Sequence, residues 1–327
     1  MNKEFHFNTV YILAREAGFT EADSFTLAGS SQFVDEAVFN LQFSLPDEEM
    51  QCIITQSYQF WDDSTQKNIY LPFHFIPGNI NEPLTQLKNN SINPYCVIAN
   101  GALAKEALIT SLEQRDIFLI GIALHGFADT WAHQYFSGKN EQWNANIDSN
   151  VFNNVTQAIG HMQFGTQPDA CGAIWQDNRL YEPVCNNIER FREAAKKIYR
   201  YLSIYNNKSF DDEDFILEKL CSIWKHPDSN ERYADYILEW GLPEWSYKLW
   251  FEQAGLEYIS QNTDNGILDS MLNSKIKQKI ELFINHINTK TVICPSSFKQ
   301  SNLYRWTQSA HYYKNIMSKI LEREHLL

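Results

Sequence analysis

Several familiar features are missing from this chain, and each absence narrows its chemistry. No stretch is long and apolar enough to span a bilayer. The amino terminus, MNKEFHFNTVYILAREAGF, has acidic residues early and no apolar run of the kind a secretory leader needs. These readings point to the cytoplasm, with signal-independent delivery out of the cell as the alternative. The six cysteines (Cys52, Cys96, Cys171, Cys185, Cys221, Cys294) contain no C-x-x-C pair, so neither a disulfide scaffold nor a paired-thiolate zinc site is indicated. H-E-x-x-H, G-x-S-x-G, G-x-G-x-x-G and G-x-x-x-x-G-K-[ST] are all absent, as is an adjacent His-Asp pair. Positive charge is also short: 27 Lys and Arg against 40 Asp and Glu leave a net charge of -13. Duplex nucleic acid is held by clustered cations that displace counterions, so long nucleic acid is disfavoured as a partner. A small phosphorylated substrate remains compatible, because bound metal ions would reverse the local field.

What is present is a globular composition, 44% hydrophobic over 327 residues, with helical periodicity along most of the length. Residues 8–18 form a helix stopped at Gly18, and Thr20 opens a second that runs to Asp35 and Glu36. From 41 to 76 the runs LQFSL, QCIITQSYQFW and NIYLPFHFI are β-branched or aromatic and read as a short hairpin or extended arms. Helices are expected again over 98–113, 115–136, 179–204, 212–224, 230–255, 271–289 and 299–325. The fold class is therefore mainly α. We read residues 1–204 as a helical core and 205–327 as a helical extension packed on it, together forming one domain. The extension is a place for a lid, a protein partner or an oligomer interface.

The segment 115–136 is apolar on most of its circumference, which marks a helix buried at the centre of a bundle. It nevertheless carries His125, Asp129 and His133. Steps of four rotate about 40° each, so the three side chains share one stripe of roughly 80°. Such groups are costly to bury unless paired or bound to metal, and imidazole nitrogen with carboxylate oxygen suits zinc. The outer histidines lie about 12 Å apart along the axis, too far to share an ion. Adjacent ions are the natural arrangement, with Asp129 able to bridge. The bland reading, satisfied core histidines and a backbone-bonded Asp, stands beside it. His6 before the first helix, Asp35 late in the second, His74 in PFHF, and His161 and Asp169 in GHMQFGTQPD each have a similarly ordinary explanation when taken alone. Their joint presence favours a cluster. Trp131, Phe136 and Trp175 are candidates to wall a substrate pocket, with core packing as their alternative role.

The segments FHFNTVYILAREAGF, SSQFVDEA, GIALHGFADTWAHQYFSG and GHMQFGTQPD resemble a family of uncharacterised bacterial proteins over about residues 1–180. The order His, Asp, His, HxxxD, His, His, acid is also similar to the zinc-dependent phospholipase C and P1 nuclease superfamily. That resemblance implies a multi-helix bundle holding a three-zinc phosphodiesterase site. Asp35, His74, His125 and Asp129 would hold one ion, His6 would join Asp129 at a second, and His133, His161 and Asp169 would hold a third. Asp35 could also assist as a base. Those enzymes use a processed amino-terminal amine as a further ligand. This chain starts at an initiator Met without a leader, so Met1 is left out of the ligand set. The function implied is hydrolysis of a phosphoester, from a small phosphorylated molecule or a phospholipid headgroup, by a metal-activated water with one to three Zn2+ ions. The alternative is a metal-stabilised protein without turnover. His226, His286, His311 and His325 lie outside the matched motifs.

Overall fold

The computed structural model describes residues 1–57, 59–147, 158–256 and 289–327. Among these the chain is mainly helical, with small sheets at its edges. The first helix begins as a π-helical turn, Glu4–Thr9, and continues as α1, Val10–Glu16, before Gly18 reverses the chain at φ +91°. The next helix, α2 (Glu21–Glu36), is capped by the Thr20 side chain, which accepts from the backbone N–H of Asp23. A single turn, α3 (Asp63–Thr65), runs into a second π-helical stretch, Gln66–His74. Then come α4 (Ala102–Glu113), α5 (Ile117–Ala132), α6 (Asn187–Tyr205), α7 (Glu213–Trp224), α8 (Ser229–Trp240), α9 (Lys248–Gln253) and α10 (Asn302–Arg323).

Helix α5 is the axis of the molecule. Phe118 to Ala132 are all buried, and α2, α4, α6, α10 and the Gln66–His74 stretch pack around it. A helix that is apolar on every side finds its free-energy minimum when neighbours cover every side. Close approach depends on Gly121: a Cβ there would collide with the Leu27 carbonyl and lie 2.6 Å from the Ser30 Cβ of α2. The α2 backbone therefore runs directly against α5, which brings Asp35 and the Ser31 carbonyl to the His125 face.

Strands β1 (Leu41–Ser44) and β2 (Glu49–Gln51) form the expected hairpin, with Phe43 opposite Met50. Strand β5 (Lys290–Ile293) adds to it in parallel, Phe43 opposite Val292. This pairing ties the last part of the chain to the first, as does the indole of Trp306, which donates to the Ser30 carbonyl. A second hairpin, β3 (Ile174–Gln176) with β4 (Val184–Asn186), precedes α6.

Three sequence expectations need correction. NIYLPFHFI is helical rather than extended, because Ile69 to His74 are buried without alternation and tertiary packing overrides β-propensity. Its wide turns also accommodate Pro72, whose ring would crowd the carbonyl four residues back in a regular α-helix. The helix expected over 230–255 is two helices, since α8 stops at Gly241 in the left-handed region at φ +61°, two residues before Pro243. The helix expected from 179 starts at Asn187, and the preceding residues make β4. The helix expected over 271–289 falls almost wholly outside the described residues, as does His286.

Candidate metal centre

Five separate segments deliver histidines and carboxylates to one end of α5. The first π-helical turn supplies His6, and the C-terminal turn of α2 supplies Asp35. The second π-helical stretch ends on His74, and α5 carries His125 and Asp129 with His133 as its terminal cap. The two short 3-10 turns at Met162–Phe164 and Gln167–Asp169 present His161 and Asp169. All eight expected ligands converge. They form three groups whose ligand atoms lie within 4.8 Å of one another: His6, His125 and Asp129; Asp35, His74 and His125; His133, His161 and Asp169.

The outward-facing nitrogens decide the chemistry of the inward-facing ones. His125 Nδ1 lies 2.9 Å from the Ser31 carbonyl, and His74 Nε2 lies 2.7 Å from the Thr55 carbonyl. His133 Nδ1 meets the His74 carbonyl at 2.6 Å, and His161 Nδ1 meets the Gly165 carbonyl at 2.9 Å. A carbonyl only accepts, so each of these nitrogens carries the proton and donates. In the neutral ring the other nitrogen then presents a lone pair to the cluster.

His125 Nε2 and His74 Nδ1 face each other at 3.1 Å. Two lone pairs at that distance repel unless a cation, a proton or a metal, lies between or beside them. Tetrahedral zinc with Zn–N of about 2.05 Å places neighbouring donor atoms about 3.3 Å apart. His6 Nε2 and Asp129 Oδ1 are 3.1 Å apart, His125 Nε2 and Asp129 Oδ2 3.3 Å, His133 Nε2 and Asp169 Oδ1 3.3 Å, and His161 Nε2 and Asp169 Oδ2 3.2 Å. The spacing of these groups is one that could hold a metal ion.

Asp129 divides its oxygens. Oδ1 faces His6, while Oδ2 faces His74 at 3.4 Å, His125 and His133, and has no hydrogen-bond partner. His6 Nδ1 is likewise buried without a partner. Because His125 commits Nδ1 to Ser31, it has one nitrogen for one ion. The economical partition assigns His125 with His74, Asp35 and Asp129 Oδ2, leaving Asp129 Oδ1 with His6. Asp35 stands 3.7 Å from both His74 Nδ1 and His125 Nε2.

One further group enters the cluster that the sequence reading left out. The Met1 α-amine is buried in contact with Asp129 Oδ1 and lies 3.3 Å from Asp169 Oδ1. Burial disfavours its charge, but Asp129, Asp169 and Asp35 outweigh that and raise its pKa to about 11. The signal was the position of His6: a ligand in the first turn brings the start of the chain with it.

Electrostatics follow the same pattern. Burial opposes ionisation of Asp129, yet His133, the terminal ammonium, His125 and His6 hold its carboxyl well below the ordinary range. Asp169 is depressed similarly, burial being overcome by His161 and the ammonium. Burial, His125 and the ammonium push His6 down to about 3, and His133 is lowered mainly by burial. His74 and His161 go the other way: burial is outweighed by Asp129 and Asp35 for His74, and by Asp169 for His161.

The cluster opens into a cleft of about 240 Å3. Asp35, Asp169 and His161 retain 25%, 21% and 15% exposure at its mouth, while Asp129 beneath them retains 1%. The apolar wall is built by Phe60, Tyr70, Phe75, Ile159 and Met162. The Phe75 ring stacks on His133 at 4.2 Å between centroids. Trp131, Phe136 and Trp175 stand elsewhere. Trp131 packs edge-on to Phe127 in the core, and Phe136 lies behind His161 with Trp175 behind it. Phe136 and Trp175 support the wall from a layer back, Trp131 belongs to the main core, and none of the three lines the cleft.

A family model described as Family of unknown function (DUF6765) matches residues 1–321. The chain belongs to this family. The match extends well past residue 180 and takes in the helices of the C-terminal third. No curated protein and no solved structure matches the chain. Among the described residues of this family member, no helix is long and apolar enough to cross a membrane.

Proposed function

We propose that the protein is a zinc-type, metal-dependent hydrolase acting on phosphoesters through a metal-activated water. The observation that carries this reading is the pair of inward-facing nitrogens, His125 Nε2 and His74 Nδ1, 3.1 Å apart beside the unpartnered Asp129 Oδ2. Asp35, His74, His125 and Asp129 would hold one ion, His6 and the Met1 amine would join Asp129 at a second, and His133, His161 and Asp169 would hold a third. Adjacent divalent ions polarise a phosphoryl oxygen and lower the pKa of bound water toward neutrality.

Charge supports an anionic substrate only with the ions in place. The cleft is lined by Asp35, Asp129 and Asp169, and among the described residues no Lys or Arg side chain lines it. Empty of cations it would repel a phosphate, and filled it would attract one. The residues' own contributions are positional. Asp35, at the mouth, binds metal and is placed to accept a proton from water. Ser31, Thr55 and Gly165 lend carbonyls that lock the imidazoles. The apolar wall excludes solvent from one side of the bound group. The order of these ligands along the chain, which resembles that of the zinc-dependent phospholipase C and P1 nuclease superfamily, supports a phosphoester over a peptide.

The test is hydrolysis of an aryl phosphodiester against a chromogenic peptide by protein purified without added metal and then titrated with Zn2+. The proposal expects metal-dependent phosphodiester cleavage that is lost in Asp35→Asn. Tight metal binding with no turnover of either substrate would instead assign the ions a structural role.

A further inference from the structure

Behind the metal centre, separated from it by the Phe136 ring, lies a smaller pocket of about 200 Å3 between the Gln134–Tyr135 turn, the β3–β4 hairpin and the first turn of α6. Its distinguishing feature is Arg190. The Nε and Nη1 atoms of this side chain are buried without a hydrogen-bond partner, and among the described residues it makes no ion pair. Burial lowers its pKa, and Cys185, Tyr135 and Asp177 offset that only in part.

The carboxylates lining the same pocket are committed elsewhere. Asp177 takes a bidentate pair from Arg179, at 2.9 Å to Nε and 2.7 Å to Nη2. Glu189 accepts from the Asn186 side chain at 2.9 Å. A part-buried guanidinium with two donors, Nε and Nη1, shut away from water and left without acceptors is costly, since each unmet donor keeps its desolvation penalty. Its position in the first turn of the 19-residue α6 adds to the positive potential, because the helix dipole already points that end toward the pocket. Part of the remaining wall is apolar: the guanidinium lies over the Trp175 ring at 5.7 Å, and Leu180 and Val184 line the same pocket, alongside the polar Gln134 and Asn186.

We infer that this pocket binds a small oxyanion carrying an apolar group, its charged head on Arg190 and its body against Trp175 and Leu180. The volume suits a ligand of one ring rather than a nucleotide. The inference stands on Arg190 and does not depend on the reading of the metal centre.

Calorimetric titration tests it, with benzoate as the probe, benzyl alcohol as its uncharged counterpart and inorganic phosphate as the bare anion. Each is titrated into the wild type, Arg190→Gln, Val184→Glu and Asp129→Ala. Benzoate is expected to bind the wild type and D129A alike, and to bind R190Q about tenfold or more weakly, as befits loss of a charge-assisted pair. Benzyl alcohol and phosphate should both bind more weakly than benzoate. V184E alters a side chain that is 62% exposed, so it tests the pocket even if R190Q fails to fold; its carboxylate should occupy Arg190 and weaken benzoate similarly. Benzoate affinity unchanged by V184E, or lost in D129A, would overturn the inference, the latter by moving the anion to the metal cleft.

Discussion

His74 and His125 meet edge to face, their ring centroids 5.0 Å apart, and turn Nδ1 and Nε2 toward each other at 3.1 Å. Each ring is held from behind by a carbonyl, Thr55 for one and Ser31 for the other. Those two carbonyls come from different segments, so the pair is built by the packing of α2 and the irregular segment around Thr55 against α5. Burying two imidazoles this way is unfavourable without a cation, and several predictions about metal and stability come from that single fact.

Removing the bridging carboxylate should empty the centre. Asp129→Ala is expected to lose most of the bound metal measured by elemental analysis. His226→Ala, at a residue 46% exposed and paired only loosely with Glu231 and Asp235, should keep it. Equal metal content in the two variants would contradict the ligand assignment.

Metal affinity should rise with pH. A ligand nitrogen must be free of its proton to bind metal. His74 and His161 have pKa values raised above 6.5, so at pH 6 both rings hold protons that compete with the ion. His6, down near 3, is already neutral throughout that interval and contributes nothing to the slope. Chelator competition should show zinc bound at least about tenfold more tightly at pH 8 than at pH 6. A flat profile would mean that neither these two histidines nor the Met1 amine, which must also shed its proton to bind, is a ligand.

Stripping the ions should destabilise the fold. Without them, the buried Asp129 and the part-exposed Asp169 above it are balanced only by protons on their neighbours. A ligand present at a hundredfold its Kd stabilises the native state by about 3 kcal/mol. Chelation should therefore lower the thermal midpoint measurably, and zinc should restore it. An unchanged midpoint after proven metal removal would argue that nothing of consequence was bound.

Gly121→Ala links the fold to the site. The added methyl meets α2 backbone at Leu27 rather than a flexible side chain, so the helices must separate. Overpacking of this kind costs about 1–3 kcal/mol. It should also weaken metal binding, because Asp35 and the Ser31 carbonyl ride on α2. Lost stability with full metal affinity would show that the two helices do not share that constraint.

Phe60 and Trp131 should behave differently. Phe60→Ala removes part of the cleft wall and is expected to raise KM for an aryl phosphodiester with little change in metal content. Trp131 is 5% exposed in the core, so Trp131→Ala should cost about 3–5 kcal/mol of stability. An effect of W131A confined to KM would place the indole in the cleft instead.

Much of this protein is written locally. The apolar circumference of 117–132 dictates a central helix, the spacing of His125, Asp129 and His133 dictates a common face, and Thr20 dictates where α2 begins. Each depends only on helix geometry and on groups a few residues apart. The sequence alone therefore named the polar stripe and the residue types on it.

Tertiary structure decided the rest. Pro72 and the β-branched run around it suggested an extended segment, yet burial on all sides made it helical and turned His74 inward. Which carbonyl fixes each imidazole, that the Met1 amine reaches Asp129, and that Phe60 and Phe75 rather than Trp131 face the cleft are long-range outcomes. They depend on which surfaces remain to be covered once α5 is surrounded, a choice made by the whole core together and by no single segment.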